Sequence, residues 1–244
     1  QFDCARELFK HGANIDVRLA ISAAVSSKRI NSLQYLVEKF PLDGKVAITQ
    51  SSFLHEAIGQ SDSQTVKFLL ENGAHINLEV NGKTPLMHAM DVGMIDLLIE
   101  CGADVNLVTS GKGTPLVYAL SHDYHRNINN RWRNIEGIEL SDCDERIRDI
   151  LAKLLEHGAK CKEVYHNGQS PLSCAIETDH SISLLKMLLD AGADVNDVGP
   201  GSASPLHAAS SNCNTEKIEF LIEHGADVNF RDSSGQSPIF GSTN

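Results

Sequence analysis

The reading of this chain turns on SPLHAASSNCNTEKIEFLIEHGADVN, residues 204–229. Ser204 followed by Pro205 is a helix start, because the hydroxyl caps a free N–H and proline suits the first helical position. Leu206 and Ala209 share one helical face, and the small alanine lets a neighbouring helix come close. Further on, Ile218, Phe220, Leu221 and Ile222 predict a second, more apolar helix, which Gly225 ends in a left-handed cap. The polar, glycine-containing stretch after Asn229 is a turn leading to the next Ser-Pro at Ser237. The unit is therefore helix, tight loop, helix, protruding turn.

Both phrases recur in step along the 244 residues. The helix-start phrase returns as TPLMHA from Thr84, TPLVYA from Thr114, SPLSCA from Ser170 and SPIF from Ser237, with SFLHEA at 52–57 as a degenerate copy. The helix-end phrase returns as LLIECGADVN (97–106) and MLLDAGADVN (187–196), and more weakly as ELFKHGANID (7–16), FLLENGAHIN (68–77) and KLLEHGAKCK (153–162). Its last three glycines are spaced by 192 − 158 = 34 and 225 − 192 = 33 positions. A fixed period of this size marks a stack of repeats in which each unit buries its apolar face only against its neighbours.

A unit of ~33 residues carrying T-P-L-H-x-A and then L-L-x-x-G-A-D-V-N resembles the ankyrin repeat. The resemblance covers nearly the whole chain and implies an all-α solenoid of antiparallel helix pairs with β-hairpin-like finger loops. It implies a single domain over 1–244 with about seven full or partial repeats, truncated at both ends. His55 and His207, at the His of the helix-start phrase, take a structural role by the same resemblance. Asn106, Asn196 and Asn229 are expected to bridge adjacent fingers, and they occupy the position that asparaginyl hydroxylases modify in animal members of the family.

Composition agrees with such a stack. Apolar residues make up 41% and aromatics only 5%, so Leu, Ile, Val and Ala must hold the chain together. The 21 Lys+Arg against 32 Asp+Glu give a net charge of −11, which argues against nucleic acid and favours a basic protein partner. The same acidity also serves to keep an elongated surface soluble. The six cysteines form no C-x-x-C pair and are expected as buried or half-buried free thiols in a reducing compartment. No apolar run approaches the ~18–20 residues that cross a bilayer. The chain opens on Gln1 in mid-phrase and reads as a monomeric piece of a longer intracellular protein, cytoplasmic or else nuclear.

Three departures from the pattern stand out. In residues 17–50, Phe40-Pro41 replaces Gly-Ala, which leaves the exit turn of that unit open. From Ala89 to Gly102 is 13 positions, against 16 from Ala57 to Gly73 and from Ala209 to Gly225, as if the loop between helices had lost about three residues. From Ala119 to Gly158 is 39 positions; subtracting 16 leaves an insertion of about 23 residues, near 121–144, between the two helices of one unit. That insertion holds Arg126, Arg131, Trp132 and Arg133, then an acidic run, with Asp142 or Asp144 placed to cap the resumed helix. Loops of this length inside a compact unit are functional or disordered, and tryptophan and arginine are enriched at interface anchors.

Catalytic patterns fail on spacing. SGKGT (110–114) has Gly113 where a phosphate loop needs Ser or Thr directly after Lys, and no G-x-S-x-G exists. His122, Asp123, His125 and Cys143 could ligate a metal, but a second tight pair is missing, and solvated loop histidines are the simpler reading. His11, His157 and His224 precede helix-end glycines, where they can meet free carbonyls. No cofactor, metal or catalytic group is expected.

Specificity then belongs to variable surface positions. The resemblance places these at the fingers (Val80, Asn81, Ser110, His166 and Asn167), before the first helices (Lys83 and Gln169), and at the ends of the first helices (Glu177, Thr178, Ser211 and Asn212). Arg131, Trp132 and Arg133 of the insertion join them. The expected function, as the resemblance implies it, is a non-catalytic protein-interaction module or scaffold that binds a partner through the finger loops and a concave helix surface. The alternative is a regulatory or substrate-docking segment of a larger enzyme, ubiquitin-ligase adaptor or channel.

Overall fold

A computed structural model describes residues 16–49, 52–121, 140–162, 168–178, 180–200 and 203–243. Its helices fall into pairs: α1 (Val17–Ser26) with α2 (Ile30–Lys39), then a third helix α3 (Pro41–Thr49); α4 (Phe53–Gly59) with α5 (Ser63–Glu71); α6 (Pro85–His88) with α7 (Val92–Glu100); α8 (Pro115–Ala119) with α9 (Leu140–Glu156); α10 (Pro171–Glu177) with α11 (Ile182–Asp190); and α12 (Pro205–Ser211) with α13 (Thr215–Glu223). A 3-10 turn at Pro238–Thr243 follows. Among the described residues there are no extended strands, only two isolated antiparallel bridges in the fingers, Val80 to Lys83 and Thr109 to Gly113. The first helices pack in one row, α1, α4, α6, α8, α10, α12 and the 3-10 turn, each against the next.

The helix starts follow from Ser/Thr-Pro. Proline forces the residue before it into extended backbone, and Thr84, Thr114, Ser170 and Ser204 all stand at ψ 160–164°. From there the hydroxyls of Thr84, Thr114 and Ser170 accept from Met87, Val117 and Ser173 N–H at 3.2–3.4 Å.

The helix ends follow from the glycine. Gly73, Gly102, Gly158, Gly192 and Gly225 lie at φ +82 to +93°. The next alanine N–H then reaches back to a leucine carbonyl, at 2.9 Å in every case: Ala74 to Leu69, Ala103 to Leu98, Ala159 to Leu154, Ala193 to Leu188, Ala226 to Leu221. Those leucines are also the core of each second helix, at most 2% exposed. A side chain at Gly102, Gly158, Gly192 or Gly225 would meet nothing within 4 Å, so glycine is needed there for its dihedral and not for space.

The departures resolve in physical terms. After α2 the chain, lacking the glycine, passes at once into α3 instead of a finger; Gly44 makes this close packing possible, since a Cβ there would stand 3.3 Å from the Val37 Cα. The shortened unit has kept its loop: three residues separate the helices at 89–91, as at 60–62 and 212–214. The loss lies in the first helix, since α6 has 4 residues where α4, α10 and α12 have 7. The expected loop deletion is thus a helix truncation. Past the insertion, α9 runs 17 residues against 9 for α5, α7, α11 and α13. It starts at Leu140, so Asp142 and Asp144 lie within it and neither is its cap.

Candidate functional site

The fingers are tied to each other as well as to their own helices. Val80 and Lys83 exchange two backbone hydrogen bonds of 2.9 and 3.1 Å around Asn81 and Gly82, both left-handed at φ 52° and 75°. Asn81 is exposed at that tip, whereas the Lys83 ammonium sits 5.0 Å from the centroid of the Tyr118 ring in the next unit. Ser110 Oγ donates to Glu79 Oε1 at 2.6 Å, joining neighbouring fingers.

At the base of the fingers Asn106 and Asn196 bridge units as expected, whereas Asn229 has, among the described residues, a local bond from its N–H to Asp227 Oδ1 at 2.9 Å. Asn106 Nδ2 donates to the Gly158 carbonyl at 2.9 Å, while its Oδ1 accepts from Lys160 N–H at 2.8 Å. Asn196 makes the same pair with Gly225 and Asp227, at 3.1 and 2.9 Å. Asn77 contributes a single such bond, from Asp104 N–H at 3.0 Å.

The histidines sort by neighbourhood. His207 Nδ1 accepts from the Ser204 backbone and hydroxyl at 3.3 and 2.8 Å, so Nε2–H is the donor to the Gln236 carbonyl at 3.1 Å. His224 Nδ1 donates to the Phe220 carbonyl at 2.7 Å. His157 departs from expectation: its Nε2 stands 3.9 Å from Asp96, beside the Lys153 ammonium at 3.6 Å from the same carboxylate.

The row of first helices brings four predicted positions together. Gln169, Glu177, Ser211 and Asn212 line one groove of about 360 Å³ between α10 and α12. The Gln169 amide donates to the Glu177 carboxylate, and Asn212 Nδ2 to the Ile176 carbonyl at 3.4 Å. Beyond Glu177 and Asn212 the groove opens into a wider recess of about 660 Å³ flanked by Asn214 and Glu216. Among the described residues no lysine or arginine lines either part. Thr178 plays another part: its hydroxyl lies 2.7 Å from the Cys174 carbonyl and 3.0 Å from the Leu120 carbonyl of the preceding unit. Arg131, Trp132, Arg133, His166 and Asn167 lie outside the described residues, as do the side chains of His122, Asp123, His125 and Cys143.

Sequence reasoning missed Ser173, His207 and Glu216 as groove residues. Ser173 carried a usable signal, a small residue where SPLH places histidine. Glu216 carried none, because only the pairing of two units brings it beside Glu177.

Thiols divide by burial. Cys161 and Cys174 are buried as expected, and burial pushes their thiols up to about 11 and about 12. Cys101 and Cys213 are exposed, against expectation.

A family model described as ankyrin repeats in three copies matches residues 21–109, 54–129 and 143–232. The unmatched gap at 130–142 falls inside the insertion. Ankyrin repeat and SOCS box protein 11 of Danio rerio is 37% identical over 86 residues, 35% of this chain and 29% of that protein. A putative ankyrin repeat protein of Rickettsia felis is 41% identical over 73 residues, 30% of this chain and 19% of that one. The chain thus spans less than a third of either relative. The human ASB11 ankyrin repeat domain superposes with a TM-score of 0.63 at 26% identity, over 92% of this chain and 90% of that one. The Bcl-3 ankyrin repeat domain gives 0.69 at 23% identity, over 96% and 95%, a likeness of fold. With capped helix pairs, bridging asparagines and the family model laid over most of its length, the chain belongs to the ankyrin repeat family.

Proposed function

We propose that this chain is a non-catalytic interaction module that binds a basic protein partner along its concave face. The ankyrin fold is a general protein–protein interaction fold, and the finer reading rests on one observation. The groove between α10 and α12 gathers Gln169, Glu177, Ser211 and Asn212, opens towards Glu216, and among the described residues is lined by no lysine or arginine. Extended basic segments complement such a face. The module acts as a monomer inside the cell.

The test is affinity capture with the wild-type chain, with Glu177→Arg plus Glu216→Arg, and with residues 122–139 replaced by a short Gly-Ser linker. Partners lost with the charge reversal and kept with the linker support the groove. Loss with the linker alone moves the contact to the insertion, and identical capture by all three rejects both.

A second reading, a substrate-docking segment of a larger adaptor, is favoured by the Danio rerio relative named for a SOCS box, 37% identical over 86 residues. Sequencing the complete transcript separates it from the first.

A further inference from the structure

His55 on α4 and His88 at the end of α6 meet edge to face, ring centroids 4.8 Å apart. His55 is only 5% exposed. Its Nε2 lies 3.2 Å from the Lys83 carbonyl, which makes that nitrogen the donor and Nδ1 the acceptor. Among the described residues the buried Nδ1 meets no hydrogen-bond partner. At the equivalent His207 the capping Ser204 fills that role. Here the cap is Ser52, followed by Phe53 and not proline; its ψ is 15° where Ser204 has 162°, and its side chain makes no capping bond.

We propose that the His55–His88 pair is an acid-sensitive joint that lets the stack open between the α4/α5 and α6/α7 pairs. Protonating His55 puts an N–H on the buried Nδ1, which meets no acceptor among the described residues; the Lys83 and Leu78 carbonyls favour the charged ring, but by less than burial opposes it. Protonating His88 sets a cation 4.8 Å from the centre of that ring, where it repels a protonated His55. The charges acting on His88 are those of His55 and Lys83, all of one sign when protonated. Of the carboxylates on the packed elements and their caps, Glu56 is engaged with Ser26 of α1, Asp62 with the start of α5, Asp91 with Ser61 and the start of α7, and Asp96 with Lys153, while Glu71 and Glu100 are exposed at helix ends. The joint is also mechanically weak, since α6 is a single turn of 4 residues.

Burial lowers both imidazoles, and that of His88 falls from 6.5 to about 4. These are bases depressed in the folded state, so the opened state takes up protons first. The joint's stability is fully present above pH 6.5 and is lost as pH falls towards about 4.

Amide hydrogen exchange of the whole chain, read by mass spectrometry at pH 7.5 and 5 and corrected for intrinsic rates, tests this. His88 alone gives about a thirtyfold rise in opening at pH 5, expected in peptides covering 53–59 and 84–100 and absent from those covering 171–177 and 205–223. In His55→Gln plus His88→Gln the rise disappears, because glutamine keeps an N–H for the Lys83 carbonyl and takes no proton. His88→Gln alone, at a half-buried position, serves if the double variant does not fold, and must at least diminish the rise. NMR titration of His88 gives an independent reading. Equal loss of protection along the stack, an unchanged acid response in His88→Gln, or ordinary titration of His88 near 6.5 each overturns the proposal.

Discussion

Cys213 holds a left-handed backbone at φ 50°, and it stands where Lys28 and Ser61 stand in their own units, in the loop between first and second helix, each at φ 52°. A β-carbon in this conformation costs ~1–2 kcal/mol, part of which glycine gives back as unfolded-chain entropy. Lys28 and Ser61 offset the strain by stitching units: the Lys28 ammonium donates to the Gln60 carbonyl at 2.8 Å, and Ser61 Oγ to Asp91 at 3.0 Å. Cys213 is exposed at the rim of the wider recess. Cys213→Gly is therefore expected to stabilise the chain by about 0.5–1 kcal/mol, read as a higher urea midpoint at unchanged slope; a lower midpoint would assign the thiol a contact worth more than the strain. The cysteines also give a kinetic expectation. Alkylation by iodoacetamide at pH 7.5 should label Cys101 and Cys213 and spare Cys161 and Cys174, whose thiols burial holds at about 11 and about 12. Peptide mapping that found Cys174 labelled in the native chain would contradict the packing of α10.

Elements were legible wherever one residue type forces one backbone state. Ser/Thr-Pro sets the start of α6, α8, α10 and α12, and the glycine after α5, α7, α9, α11 and α13 sets the end, so counting between them located the four pairs from α6/α7 to α12/α13. Counting could not say which part of an interval had shrunk, and α6 gave up three residues that were read as loop. Nor could it foresee α3, because Phe40-Pro41 removes the glycine without specifying a replacement. The groove was half legible: variable positions named four of its residues, but its depth depends on side chains from two units. The insertion leads to an element-level expectation. α9 packs on both α7 and α8, burying Ile147, Ile150, Leu151 and Leu154. Replacing residues 122–139 by a short Gly-Ser linker leaves these contacts intact and should change stability by less than about 1 kcal/mol, in line with the slow growth of loop-closure entropy. Leu154→Ala, in contrast, should cost about 2–5 kcal/mol for a lost core side chain. Urea unfolding of both variants checks this, and a linker variant as unstable as Leu154→Ala would make the insertion part of the core.

At the scale of the molecule, the main helix contacts among the described residues run from each pair to the next, so the stack has no single centre and its charge is spread along its surface. With a net charge of −11, that surface repels itself, and the repulsion is felt over about a Debye length, ~10 Å at 0.1 M salt and ~30 Å at 0.01 M. Raising sodium chloride from ~0.01 to ~0.3 M should therefore stabilise the fold, by roughly 1 kcal/mol in urea unfolding. The same salt should weaken a basic partner, mainly through a slower association rate, because it screens the attraction that steers encounter. Opposite signs are thus expected from one variable: a higher urea midpoint and a lower affinity. The two readouts fail separately. An affinity that ignores salt removes the basic partner and leaves the fold as described. A urea midpoint that falls with salt would mean that local ion pairs, such as Lys153 with Asp96 and Glu156, outweigh the mean repulsion. Exposed pairs of this kind contribute only about 0–1 kcal/mol each, too little to reverse the sign against a net charge of −11.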